Sequence, residues 1–102
     1  MIETQAEAVG LYVGLNLLLT LALAILVVGH RAKSGIGMGS GGNEALERAM
    51  RVHGNNVEYV AIALPGLLAL ALLGASGLLI HVAGILVTVG RLGHAIGLSK
   101  TI

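Results

Sequence analysis

Cysteine and tryptophan are absent from this chain, and tyrosine occurs twice, at Tyr12 and Tyr59. Without cysteine there is no disulfide, no thiolate metal site and no protein thiol nucleophile. Any thiol chemistry must use sulfur brought by the substrate, and the redox compartment stays open. Without tryptophan there is no aromatic belt at a membrane surface. Charge is scarce too: 11% of 102 residues, for a net of +1, which excludes the basic surface that nucleic-acid binding requires.

Apolar residues are abundant, at 56% of the chain with mean hydropathy +0.93. A soluble domain of this size would expose far too much apolar surface, so the composition predicts a single-domain integral membrane protein. Residues 8–29 carry no charge and can cross ~30 Å of hydrocarbon. Glu3 and Glu7 precede this segment without Lys or Arg, which argues against a signal peptide. Inside it, Gly10 and Gly14 form a GxxxG pair that allows close helix approach, and Asn16 and Thr20 are expected to face another helix.

A Gly-rich loop follows at about 30–43. The stretch GHRAKSGIGMGSGG, Gly29 to Gly42, holds six glycines and two serines and reads as flexible. Gly37, Gly39 and Gly42 satisfy GxGxxG, but a dinucleotide site needs a preceding strand, and here a membrane helix precedes; the motif reads as linker. Asn43 is the expected N-cap of a second helix over 44–73, with Glu44 and Glu47 at its positive end. That helix is ~45 Å long, so its first turns should lie in or beyond the headgroup zone. Pro65 should kink it near the Ala61 carbonyl. Gly74 to Gly77 ends it, and a third helix is expected over 78–98, with His81, Gly84, Thr88 and Arg91 on one face. The predicted fold class is an all-α membrane protein, an antiparallel transmembrane helix bundle with three spans. Arg31, Lys33, Arg48 and Arg51 surround the first loop and Arg91 and Lys100 the C-terminal end, so the N-terminus should be outside, and the first loop and C-terminus cytoplasmic.

The second helix opens with a charged stripe. Arg48, Arg51, Asn55 and Glu58 fall at about 0°, −60°, −20° and −80° around its axis, with Tyr59 at about +20°. Charges near a bilayer usually face the protein interior or a wet pocket. Two cations, an amide, a carboxylate and a phenol can hold a small, multiply charged molecule: the arginines can clamp carboxylates, and Glu58 can take an ammonium. The alternative from spacing alone is a buried ion-pair network in which Glu58 neutralises Arg51 and fixes helix packing between subunits, or arginines meeting lipid headgroups. Arg91 is either a third cation of the site or a snorkelling residue. His94, near Arg91, is a candidate lining residue. His53, at about +140°, points away from the stripe, and Asn56, at about +80°, is ambiguous. His81 reads as interfacial and His30 as a loop residue. No His, Asp and Glu set has metal-ligand spacing on one face, so no metal is expected. The serines fall in loops, turns or termini with no base nearby.

The stretch Leu46 to Tyr59, running on to Leu64-Pro65, contains ERxxRxxxNxxEY and closely resembles the signature of the MAPEG family, the membrane-associated proteins in eicosanoid and glutathione metabolism. GRLGHAIG, Gly90 to Gly97, and the Gly-rich loop are similar to its bacterial branch. The resemblance covers essentially the whole chain. It implies an inner-membrane homotrimer that binds glutathione, as co-substrate, between subunits. It implies Arg51, Asn55, Glu58 and Tyr59 as glutathione-binding residues, with Arg48 in the same motif and Arg31 and Arg91 as matching cations. It further implies conjugation of glutathione to a lipophilic small molecule from the bilayer, with peroxidase activity alongside. The family usually has four helices; the fourth, and the thiol-activating arginine of some members, have no counterpart here. His94 and Leu98 stand where those members carry tyrosines. The catalytic residues stay open, with Arg31 and Arg91 the candidates. A non-catalytic binding or scaffold protein of the same fold is the alternative. A small oligomeric transporter is a third reading, disfavoured because no ionisable residue falls near the bilayer midplane.

Overall fold

A computed structural model describes residues 4–101, with side chains described for 4–98; Glu3 and the side chains of Ser99 and Lys100 lie outside that range. Three helices follow one another: α1 (Gln5–Ser34), α2 (Glu44–Leu72) and α3 (Gly77–Thr101). All three are long and apolar enough to cross a membrane. Each packs against both others in a bundle about 50 × 22 × 21 Å across.

Helix ends are set by local chemistry. α1 starts earlier than the charge-free run because Thr4 and Glu7 form a capping box: Thr4 Oγ1 accepts from the Glu7 N–H at 3.1 Å, and Glu7 Oε1 from the Thr4 N–H at 3.2 Å. It runs to Ser34, past the expected Gly29, and ends at Gly35 with φ 71°. Asn43 caps α2 as expected, accepting from the Leu46 N–H at 3.0 Å. α2 continues unbroken through Pro65 and ends in a Schellman arrangement. There Gly74 (φ 82°) donates to the Ala71 carbonyl and Ala75 to the Leu70 carbonyl. Ser76 opens α3 by accepting from the Leu79 N–H.

The core has two apolar layers with polar pairs between and beside them. At the turn end, Ala8, Val9, Tyr12, Leu67 and Ile80 are buried together; at the loop end, Leu23, Val52 and Ala95 are. Between the layers, Asn16 of α1 donates to Thr88 Oγ1 of α3 at 3.0 Å, and Asn56 of α2 donates to Thr20 Oγ1 of α1 at 2.9 Å. Asn16 and Thr20 thus face other helices as expected, and Asn56 resolves toward α1.

Two expectations gain detail. His81, read as interfacial from its place near a helix end, also has a partner within the chain: its Nδ1 shares a 2.5 Å hydrogen bond with the Tyr12 hydroxyl at the turn end of the bundle. Within the protomer no helix approaches Gly10 or Gly14, where an added Cβ meets nothing within 4 Å. The close approach is at Gly84, where a Cβ would stand 2.3 Å from the Tyr12 ring. The GxxxG pair lies instead on an outward apolar face of α1 with Leu11, Leu15, Leu17, Leu18 and Leu21.

Candidate functional site

The loop end of the bundle gathers the charged stripe of α2 and Arg91 of α3. Antiparallel packing puts the start of α2 beside the end of α3, so residues 36 apart in sequence meet. Arg91 is only 7% exposed. Its two terminal nitrogens donate to Asn55 Oδ1 at 3.2 and 3.1 Å, with a longer 3.5 Å contact to the Asn55 carbonyl. Its guanidinium carbon lies 4.7 Å from the centre of the Tyr59 ring, a cation–π contact. Among the described residues no carboxylate pairs with it. A buried cation held only by an amide, a carbonyl and a ring face remains electrostatically receptive to an anion.

An open groove of about 370 Å³ adjoins this cluster, lined by Glu47, Met50, Arg51, Gly54, Asn55, Glu58 and Leu98. Arg51 and Glu58 are exposed on it, and they form no ion pair with each other within the chain. The within-chain version of the network that neutralises Arg51 is therefore absent. The groove offers one accessible cation, two carboxylates and an amide, backed by the Arg91 cation. That set of groups can meet a small polar molecule carrying charges of both signs. The groove's volume is at the lower end for small-molecule sites, ~300–1,000 Å³.

A second groove, about 360 Å³, lies on the other side of the Arg91–Asn55 bridge and is lined by Tyr59, Ala63, Leu86, Val87, Gly90, Arg91 and His94. Its walls are mainly apolar, with the aliphatic part supplied by Ala63, Leu86 and Val87. His94 therefore shares a surface with Arg91 and Tyr59, as its place in the last turns of α3 suggested.

The helical wheel grouped residues that the bundle then separates. Asn55, Tyr59 and Arg91 meet directly, and Arg51 and Glu58 stand at the rim of the polar groove. Arg48 is elsewhere, in the α1–α2 groove with Leu23, Leu26 and His30. Arg31 is elsewhere too: it donates to the Ile36 and Gly39 carbonyls at 3.2 and 2.9 Å and contacts Met50 Sδ at 3.7 Å, tying the Gly-rich loop down. Glycines 35, 39, 41 and 42 in that loop have positive φ, so the glycines serve a defined path as well as freedom. No strand precedes it among the described residues, in keeping with the linker reading of GxGxxG. Sequence reasoning missed Glu47 and Met50 as groove walls. Glu47 sits about −100° around the helix, beside Glu58, and that neighbourhood was readable.

The profile of the MAPEG family matches residues 9–102. The chain is also 38% identical over 87 residues to the inner membrane protein YecN of Escherichia coli K12, covering 85% of this chain and 66% of YecN. The same protein from Escherichia coli O6:H1 matches with the same values. The chain thus spans just under two thirds of the length of these curated relatives. No solved structure matches it.

Proposed function

This chain belongs to the MAPEG family, and from that premise we propose that it binds glutathione in the polar groove of α2 and couples it to lipophilic electrophiles. What supports the reading above all is Arg91, buried with no carboxylate partner among the described residues, behind a groove that carries Arg51 and Glu58. Arg51 clamps one carboxylate of the peptide and Glu58 receives its ammonium. Asn55 holds the Arg91 guanidinium in place, and Tyr59 covers its face. A thiol of ordinary pKa ~8.5 becomes a better nucleophile as positive charge lowers that value. In this reading Arg91 supplies that charge. The thiol proton leaves to water, and the thiolate attacks the electrophilic carbon. A C–S bond forms and the leaving group departs with its electron pair. The aliphatic groove under Tyr59 admits the electrophile from the bilayer.

The proposed assembly is a homotrimer in the inner membrane, with the first loop and the C-terminus cytoplasmic. The inner membrane protein name of its relatives and the three membrane-length helices support the inner-membrane part of that placement.

A second reading has its own support. Both cations that family resemblance offers for thiol activation are already engaged, Arg31 by loop carbonyls and Arg91 by Asn55. That favours a protein that holds glutathione without conjugating it. Chlorodinitrobenzene conjugation by the detergent-purified oligomer separates the two. Turnover well above the uncatalysed rate supports the enzyme, whereas glutathione binding with no turnover supports the holder.

A further inference from the structure

Arg48 is a cation that the groove described above does not use. It lies one turn into α2, and His30 lies about one turn before the end of α1, so both sit at the loop end of the bundle. They line a separate groove of about 210 Å³ between α1 and α2, whose remaining walls are Leu23, Leu26, Ala45, Ala49 and Val52. The Arg48 Nε is buried and has no hydrogen-bond partner. Neither Arg48 nor His30 bonds to another described residue, and no carboxylate lines the groove. A buried N–H with no acceptor is costly, which marks it as awaiting one.

The groove is polar at one end and apolar along its length. Leu26 and Leu23 lie four and seven residues before His30, ~6 and ~10 Å deeper along α1. Deeper here means further from the loop, toward the middle of a membrane-length helix. Leu26 is 53% exposed, so the apolar track opens outward. A free anion gains nothing from that track, and a peptide polar throughout gains little. An amphiphile with an anionic head and an aliphatic tail matches both ends.

We propose that Arg48 and His30 bind the phosphate of a membrane phospholipid, with its acyl chain lying along the exposed Leu26. The guanidinium supplies a forked donor to the phosphate oxygens, the geometry in which arginine exceeds lysine. His30 adds a ring N–H. The site is separate from the polar groove and needs no glutathione, so its test is run without it.

The test is native mass spectrometry of the protein released from nanodiscs of phosphatidylcholine and phosphatidylglycerol. Retained phosphatidylglycerol is counted per chain. The wild type should keep a bound phospholipid. Arg48→Gln should keep about five- to tenfold less, the loss expected for one cation at a lipid surface. Arg51→Gln, on the other groove, should retain as much as wild type. Equal retention by Arg48→Gln, or a loss that follows Arg51 instead, would overturn the proposal. So would displacement by inorganic phosphate, which would mark a free-anion site. Should Arg48→Gln not fold, the wild type alone decides: phosphatidylglycerol must be retained over diacylglycerol, which lacks the phosphate, and equal retention of the two refutes the assignment.

Discussion

Single residues in this bundle act through contacts that are short and specific. A methyl group at position 84 would overlap the Tyr12 ring, with nothing flexible between them. Gly84→Ala should therefore destabilise the protomer by ~1–3 kcal/mol, the usual range for overpacking, read as a lower unfolding temperature in detergent. Gly10→Ala, inside a helix where the added carbon meets nothing, should be neutral or slightly stabilising for the protomer. Asn55→Leu tests another contact: it removes the amide that holds Arg91 and leaves the cation less compensated. A loss of ~1.5–3 kcal/mol is expected, the range for hydrogen bonds to a charged group, again read by unfolding. The sequence made the Arg48–Tyr59 stripe legible because angular position on a helix is fixed by count. It could not say which neighbours the stripe meets. That is why Arg48 read as one of the set, although it faces α1, and why the Arg91–Asn55 contact stayed hidden until α2 and α3 were packed.

Whole helices are bounded by caps whose signals are short and local. The Asn43 cap was legible because a glycine-rich loop ended and an acidic first turn began. The Thr4–Glu7 box was equally present in the sequence, but it lies outside the charge-free run because Glu7 is charged. At the other end of the bundle, Gly74 holds φ 82° in the Schellman turn that aims α3 back along α2. Gly74→Ala places a side chain in left-handed backbone and should cost ~1–2 kcal/mol in thermal unfolding, with the three helices retained by circular dichroism. The same substitution at Gly66, which has ordinary helical φ and open space around it, should be neutral or slightly stabilising. The partner of His81 stayed hidden for a related reason: position near a helix end predicts depth, whereas only packing predicts that Tyr12 stands opposite.

Over the whole molecule, much apolar surface is left uncovered. The accessible surface is 6383 Å², against about 5,400 Å² expected for a compact globular monomer of 10.3 kDa. Exposed leucines run along α1, and lipid and neighbouring subunits are the proposed cover. Orientation is tested simply because the chain has no cysteine of its own. Met38→Cys in the first loop and Leu73→Cys in the turn are both highly exposed and should react with a membrane-impermeant maleimide from opposite sides. Met38→Cys should be protected in intact cells and labelled in inverted vesicles; the reverse pattern would invert the proposed topology. The fold was readable from composition because apolar runs of membrane length leave few alternatives. The assembly was not, since nothing in one chain's sequence states which exposed face meets a copy and which meets lipid.

The central claim is that the groove bounded by Arg51, Asn55 and Glu58 holds glutathione. Isothermal titration of glutathione into the detergent-purified wild type, Arg51→Ala and His53→Ala, each verified as folded and of the same oligomeric size, tests it most directly. Saturable binding by the wild type, a loss of ~2 kcal/mol or more in Arg51→Ala, and little change in His53→Ala are predicted. No heat of binding in a folded wild-type oligomer, or equal affinity in wild type and Arg51→Ala, would contradict the account.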